Sequence, residues 1–373
     1  MVNQMIETKV GFIGFGLIGG SIARKLKELN PKNYLIAYNH KKDTVSSGLQ
    51  EAVNDGVLDL ITNNLTSSFC NCNLIFLCGP VLANITYLTM LKDVTGPNCI
   101  ITDVGSVKTN IHEAVKSLEL EDQFIGGHPM TGSEKTGYQN SSSSLLENAY
   151  YILTPTKKTS INNLDYLSQL VKSLGSIPLT LDYREHDDIT AAISHVPHII
   201  ASALVNMVKD NDDDFHKMRT LAAGGFKDIT RIASSSATMW QNICLTNTTS
   251  IRQFLKKYID TLQDIDNNLK ESHENSIYRF FDTASTYRDT IPNTSNGFIK
   301  KVYEVYIDII DETGAIATIA TLLATNLISI KNIGIIHNRE FEQGVLKIEF
   351  YDEEASLKAS DILNKYRYVV YER

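Results

Sequence analysis

Three stretches gather residues that can move protons or hold anions. Gly126-Gly127-His128-Pro129-Met130-Thr131-Gly132-Ser133-Glu134 sets one histidine among glycines and a proline. An imidazole titrates near neutrality, so His128 is the best candidate for a general base; a histidine following a strand can equally be structural. Ser194-His195-Val196-Pro197-His198 places two imidazoles three residues apart on one helical face. Pro197 cannot donate to the Ile193 carbonyl, so the helix is expected to bend there. A metal site fits this segment poorly, because no Cys, Asp or Glu stands at ligand spacing on it. Gly224-Gly225-Phe226-Lys227-Asp228-Ile229-Thr230-Arg231 is a glycine turn feeding a helix, with two cations four apart. The chain has a net charge of −8, so binding an anion would require local cations of this kind, and Arg can grip a carboxylate with two parallel bonds. A surface pair of Asp228 with Arg231 is the plainer alternative. Trp240, the single tryptophan, walls a pocket or fills core.

The elements that must position these residues begin with Lys9–Ile13, a short apolar run, followed by Gly14-Phe15-Gly16-Leu17-Ile18-Gly19-Gly20 and a helical pattern from Ser21 to Leu29. Strand, glycine turn and helix with G-x-G-x-x-G spacing is the dinucleotide fingerprint, in which the helix N-terminus meets the pyrophosphate. Further apolar runs at Leu35–Tyr38, Leu74–Cys78, Cys99–Asp103, Phe124–Gly127 and Tyr150–Leu153 predict a buried parallel sheet with helices between the strands. Ligands of such sheets bind at the carboxyl ends of the strands, where Cys78-Gly79-Pro80, Asp103 and His128 fall. Ser106, in Asp103-Val104-Gly105-Ser106-Val107-Lys108, is expected to cap the next helix and also to face the nicotinamide end of a bound cofactor. Where NAD sites often carry an acidic residue, the second strand ends in Asn39-His40-Lys41-Lys42. NAD is the expected cofactor, and the basic run leaves NADP open.

From Ile189 the pattern turns helical: Ile189–Val208, Phe215–Ala222, Phe226–Ala233, Thr238–Leu245 and one long helix Ser250–Tyr287. The apolar stripe of the last suggests burial against a second subunit. Asp212-Asp213-Asp214 reads as a solvated connection. After a linker at Ile291–Gly297 comes a β-α-β-β-α-β pattern, a ferredoxin-like unit. The expected domains are 1–180, 181–290 and 299–373. Nothing in the composition points to nucleic acid or a membrane surface. No apolar run of about 18 residues is seen. The five cysteines read as reduced, and a cytoplasmic location is expected.

The ordered set of motifs resembles the prephenate dehydrogenase family over Val10 to Leu269, and the terminal unit resembles an ACT regulatory domain. The resemblance implies a Rossmann-type domain, an all-helical dimerisation domain and an ACT domain. It implies oxidative decarboxylation of prephenate with NAD+ to 4-hydroxyphenylpyruvate in tyrosine biosynthesis, by a homodimer under amino-acid control, with tyrosine the natural effector. Carried onto this sequence, His128 and Ser106 are catalytic. Ser194, His195, His198, Lys227, Arg231 and Trp240 form the substrate pocket. Gly14, Gly16, Leu17, Ile18, Gly19, Asn39, His40, Lys41, Cys78, Gly79, Pro80 and Asp103 hold the cofactor, and no metal is required. Two departures stand out: Asn39 for the common acidic residue, and Thr313 for a frequent proline. Arogenate dehydrogenase, a hydroxy-acid dehydrogenase using Lys227, and a non-catalytic nucleotide and amino-acid sensor are the rival readings.

Overall fold

The computed structural model describes residues 8–41, 43–132, 135–291, 303–310, 314–336 and 343–371. Lys42, Ser133, Glu134, the linker beyond Ile291 and Asp311-Glu312-Thr313 lie outside them. The chain divides into two compact units, Met1–Ser295 and Asn296–Arg373.

The first unit is built on an eight-stranded sheet: β1 (Lys9–Ile13), β2 (Tyr34–Tyr38), β3 (Leu60–Thr62), β4 (Leu74–Leu77), β5 (Ile100–Asp103), β6 (Phe124–Pro129), β7 (Tyr150–Pro155) and β8 (Ile177–Thr180), in the order β3-β2-β1-β4-β5-β6-β7-β8. Strand β4 is apolar throughout, and in the central strands successive side chains enter different cores. Phe12 and Leu35 pack on one face, Ile13 and Ile36 on the other. Helices α1 (Leu17–Leu29), α2 (Ser47–Asn54), α3 (Leu65–Phe69), α4 (Val81–Leu91), α5 (Thr109–Ser117) and α6 (Ile161–Ser173) cover the two faces.

The sheet is not all parallel, as the sequence suggested: β7 runs antiparallel to β6, with His128 opposite Ile152. The connection between them is not a crossover helix. It is a long excursion that folds back over α1, where the Ser142 N–H donates to Ser21 Oγ at 3.1 Å, Arg24 lies over the Tyr138 ring, and Tyr138 stacks on Phe15 of the glycine turn. A strand returning from there enters the sheet in the opposite sense.

The second half of this unit is helical: α7 (Tyr183–Thr190), a π turn at Ala191–His195, α8 (Val196–Asn211), α9 (Lys217–Leu221), α10 (Gly224–Thr230), α11 (Ala237–Thr246), α12 (Thr248–Lys270) and α13 (Glu274–Thr290). The bend expected at Pro197 takes the form of the π turn immediately before it, closed by the Val196 N–H on the Ala191 carbonyl. The single long helix expected over Ser250–Tyr287 is two helices, broken where Ser272 turns to φ +54°. Asp212 is not simply solvated. Its side chain is 9% exposed and accepts from the Met218 and Arg219 backbone N–H groups at 2.9 and 3.2 Å, satisfying the start of α9. Tyr183–Asn211 is long and apolar enough, by length and composition, to cross a membrane, which the sequence reading did not anticipate. Its polar residues His186, Asp187 and His195 are instead bonded inside the protein.

The second unit is a four-stranded antiparallel sheet. It contains β9 (Tyr303–Ile310), α14 (Ala315–Thr325), β10 (Ile330–Ile336), β11 (Gln343–Phe350), α15 (Glu353–Lys365) and β12 (Val370–Tyr371), with sheet order β10-β11-β9-β12. Val305, Ile307, Ile319, Leu346, Ile348 and Leu363 form its core. The expected β-α-β-β-α-β order is what the chain adopts.

Candidate active site

The switch in strand order lies between β1 and β4, and the two turns that follow these strands meet there. Gly14 has φ +86°, and a Cβ on it would lie 2.7 Å from the Gly79 nitrogen, so only glycine lets the turns close on each other. Gly16, the N-cap of α1, has open space where a Cβ would be. The first N–H groups of α1, at Leu17, Ile18 and Gly19, have no partner a turn back and carry the positive end of the helix dipole. Asn84 fixes the facing turn, its Oδ1 accepting from the Gly79 N–H and its Nδ2 donating to the Gly79 carbonyl. Cys78 is half-buried and would lie 3.3 Å from a Cβ on Gly19, and loss of solvent pushes its thiol pKa up. A cleft of 490 Å³ opens here, lined among others by Gly14, Gly16, Tyr38, Asn39, His40 and Pro80. Asn39 is buried. Its Nδ2 donates to the Lys41 and Thr44 carbonyls at 2.7 and 2.9 Å, and its Oδ1 has no partner among the described residues. The amide orientation is thereby fixed, and a buried acceptor remains for a ligand hydroxyl. His40 and Lys41 are exposed.

His128 lies near the carboxyl end of β6, two strands beyond β4 in the sheet. Its Nδ1 lies 2.8 Å from His186 Nε2 on α7, and His186 Nδ1 lies 2.8 Å from Asp187 Oδ1. The Asp187 carboxylate also accepts the Lys108 and Thr109 backbone N–H groups, both at 2.7 Å. The N-terminus of α5 is therefore capped from α7 and not by Ser106, correcting that expectation. Ser106 is half-buried in the loop before α5, and its hydroxyl has no hydrogen bond among the described residues. Beneath His128, Lys108 and Asp103 form a fully buried ion pair. Asp103 accepts the Gly105 and Gly127 N–H groups at 2.9 and 3.1 Å, and Lys108 Nζ donates to the Gly127 carbonyl at 2.7 Å. A Cβ on Gly127 would come within 2.5 Å of the Asp103 carbonyl oxygen, which accounts for glycine before the histidine.

The helical half closes the other side. Asn247 Nδ2 donates to the Asp187 carbonyl at 2.8 Å and to His195 Nδ1 at 3.2 Å, so neutral His195 carries its proton on Nε2. His198 Nδ1 donates to the Ser194 carbonyl at 3.0 Å, leaving Nε2 as an acceptor. Trp240 stacks on His198 with ring centres 3.7 Å apart and meets His195 edge-on at 6.0 Å, while packing against the sheet core. Of the two readings of Trp240, packing against the core is the one seen here. Arg231, exposed, is close enough to depress His198, and His195 is close enough to depress His128. Contacts thus run from His128 through His186 and Asp187 to Asn247 and His195, and across Trp240 to His198. Lys227 is exposed on α10.

Burial sets the charge state of these rings. It pushes His112 and His195 down to about 4 and lowers His128 and His186 as well, in His128 with help from the neighbouring Lys108 and His195. In the unfolded chain each titrates near 6.5. Between those values the unfolded state binds more protons, so stability rises with pH across that window and is lost as the solution is acidified through it. The shift to about 4 is worth ~3 kcal/mol per histidine once complete. We expect the denaturant midpoint to fall steeply from about pH 6.5 to about pH 4.5; a flat midpoint there would mean that these rings are hydrated.

His186, Asp187, Asn247 and Lys108 escaped the sequence reading as site residues. Glu185-His186-Asp187-Asp188 resembles any solvated helix start, and the link from Asp187 to Lys108 spans 79 residues.

The chain matches the family models described as prephenate dehydrogenase, nucleotide-binding domain, over residues 22–177, and prephenate dehydrogenase, dimerization domain, over residues 182–283. It is 35% identical to the prephenate dehydrogenase of Bacillus subtilis over 97% of both chains. To that of Lactococcus lactis it is 32% identical over 96% of this chain and 98% of the other. Its fold is similar to the crystal structure of prephenate dehydrogenase from A. aeolicus in complex with hydroxyphenyl propionate and NAD+, with a TM-score of 0.71 and 27% identity, covering 78% of this chain and 100% of that one. The chain belongs to the prephenate dehydrogenase family.

Proposed function

We propose that the chain oxidatively decarboxylates prephenate to 4-hydroxyphenylpyruvate with NAD+, in the cytoplasm, on the route to tyrosine. The observation that carries this reading is the chain of contacts from His128, near the carboxyl end of β6, through His186 and Asp187 to Asn247 and His195 in the helical half. NAD+ supplies the hydride acceptor. The turn at Gly14–Gly19 and the start of α1 would hold its pyrophosphate, and Asn39 Oδ1 would accept from a ribose hydroxyl. His128 Nε2 takes the proton of the ring hydroxyl as that carbon is oxidised. Loss of carbon dioxide then makes the ring aromatic, and the proton returns from His128 to the ring oxygen. The reaction therefore releases no net proton: a dianion and NAD+ give a monoanion, carbon dioxide and NADH. Ser106 lies near the hydroxyl. Arg231, with Lys227, takes a carboxylate, and Ser194, His195, His198 and Trp240 shape the pocket. Exposed Ile229, Leu245, Leu262 and Phe281 on the helical half support a homodimer. The terminal unit is an ACT domain, and the groove along α14 lined by Gly314, Thr318, Thr321 and Tyr366 takes an amino-acid effector, tyrosine.

The test is NADH formation with prephenate and, separately, arogenate, each with NAD+ and NADP+, with and without tyrosine. Absence of NADH with prephenate would overturn the proposal, and faster turnover of arogenate would reassign the substrate. Asn39→Ala removes the fixed acceptor and frees the Lys41–Thr44 loop. We expect the KM for NAD+ to rise about tenfold, the worth of one buried hydrogen bond, with kcat little changed. An unaltered KM would take Asn39 out of the cofactor site.

A further inference from the structure

His186 and Asp187 have no part in the proton transfer as written above, yet the bonding behind His128 has a direction that begins at Asp187. Asp187 is 1% exposed and His186 0%, so water does not compete for these bonds. Burial raises the Asp187 carboxyl, but the bonds from His186, Thr109 and Lys108 outweigh it, and its pKa ends up lowered. The N-terminus of α5 also favours an anion there. An ionised carboxylate only accepts, so the proton of neutral His186 is on Nδ1 and its Nε2 is a lone pair. Across the 2.8 Å contact, His128 Nδ1 must then donate. Neutral His128 is left with one free lone pair, on Nε2.

We propose that His186 and Asp187 are positioning residues for the proton step. They fix the tautomer of His128 so that Nε2 is its sole base, and they stabilise the imidazolium formed when Nε2 takes the substrate proton. The substrate O–H bond breaks as the Nε2–H bond forms, and the Nδ1 proton stays in place, shared with His186. A buried carboxylate orients the imidazole of serine hydrolases by the same logic; here a second imidazole stands between. The inference rests on His128 being the base. The charged and titratable groups facing His128 are His186 from α7, Lys108 from the start of α5 and His195 from the π turn. Those facing His186 are Asp187, Lys108, Asp103 from β5, His128 from β6, His112 from α5 and His195 from the π turn.

The experiment compares His186→Leu, His186→Gln and His128→Asn in the full chain, measuring kcat against pH, both KM values and thermal melting. Leucine removes the acceptor, whereas the glutamine carbonyl can restore it. His186→Leu should lose about 10²–10³-fold in kcat, with both KM values within about threefold and the acid limb of the kcat profile moved to lower pH, because the imidazolium has lost its partner. His186→Gln should recover at least about tenfold of that loss. If the leucine variant unfolds, the glutamine variant still reads the acid limb. Near-normal kcat in His186→Leu beside an inactive His128→Asn would overturn the relay and leave the base in place. A glutamine variant as slow as the leucine one, with an unmoved acid limb, would reduce His186 to packing and also overturn it. Turnover retained in His128→Asn would remove the base assignment itself.

Discussion

Replacing His128 with Asn is expected to lower kcat by about 10²–10⁴-fold, the usual worth of a general base, with NAD+ bound as tightly as before. The side chain ends β6 on the far side of β4 and β5 from the glycine turn, so the pyrophosphate site at Gly14–Gly19 does not depend on it. Asparagine has no basic nitrogen. The pH dependence carries a second expectation. Burial, with the neighbouring Lys108 and His195, holds the His128 pKa well below its ordinary 6.5, so the ring is neutral, and therefore a base, throughout the neutral range. Wild-type kcat should be level from about pH 6.5 upward and fall only as acid reaches the lowered value. In His128→Asn the proton must leave to solvent hydroxide, and the residual rate should climb steadily with pH. Single-turnover NADH formation from about pH 5 to 9, alongside calorimetric titration of NAD+, checks both parts. An acid limb of unchanged position in the variant would assign the base to another group.

The parts of the site legible in the sequence are those made by short-range chemistry. The glycine turn is read from spacing because Gly14 must adopt a positive φ against Gly79, and that demand is written in one residue. Pro197 likewise announces a defect in its own helix, although not that the defect would be a π turn. Features joining distant segments were not legible. The Asp187 carboxylate that caps α5 belongs to a helix 78 residues from Thr109, and until α7 is docked it resembles any acidic helix residue. The reversed direction of β7 follows from where the preceding excursion is held by Tyr138, Arg24 and Ser21, and an apolar strand reads the same in both directions. The stop at Ser272 is set by one left-handed residue within a pattern whose apolar periodicity continues on both sides.

Lys108→Met should cost about 3–5 kcal/mol of stability, because it leaves the Asp103 carboxylate buried without its cation. Neither side chain of the pair is exposed, and Lys108 Nζ also supplies the donor for the Gly127 carbonyl, so one substitution leaves two polar groups unmet directly beneath His128. Burial pushes the lysine pKa down, and the nearby Asp103 and Asp187 offset that only in part. Adding Asp103→Asn removes the stranded charge, yet recovery should be partial. A carboxamide offers one acceptor oxygen, whereas the Gly105 and Gly127 N–H groups donate to two different carboxylate oxygens. A double-mutant cycle by denaturant unfolding should therefore give a coupling of about 1–3 kcal/mol and leave the double variant still less stable than the parent. The pair also fixes where β6 ends relative to β5, so kcat should fall in both variants even under conditions where they are fully folded. A loss below about 1 kcal/mol in Lys108→Met, the level of a surface pair, would mean that water reaches this pair and that His128 is held in place by its histidine partner alone.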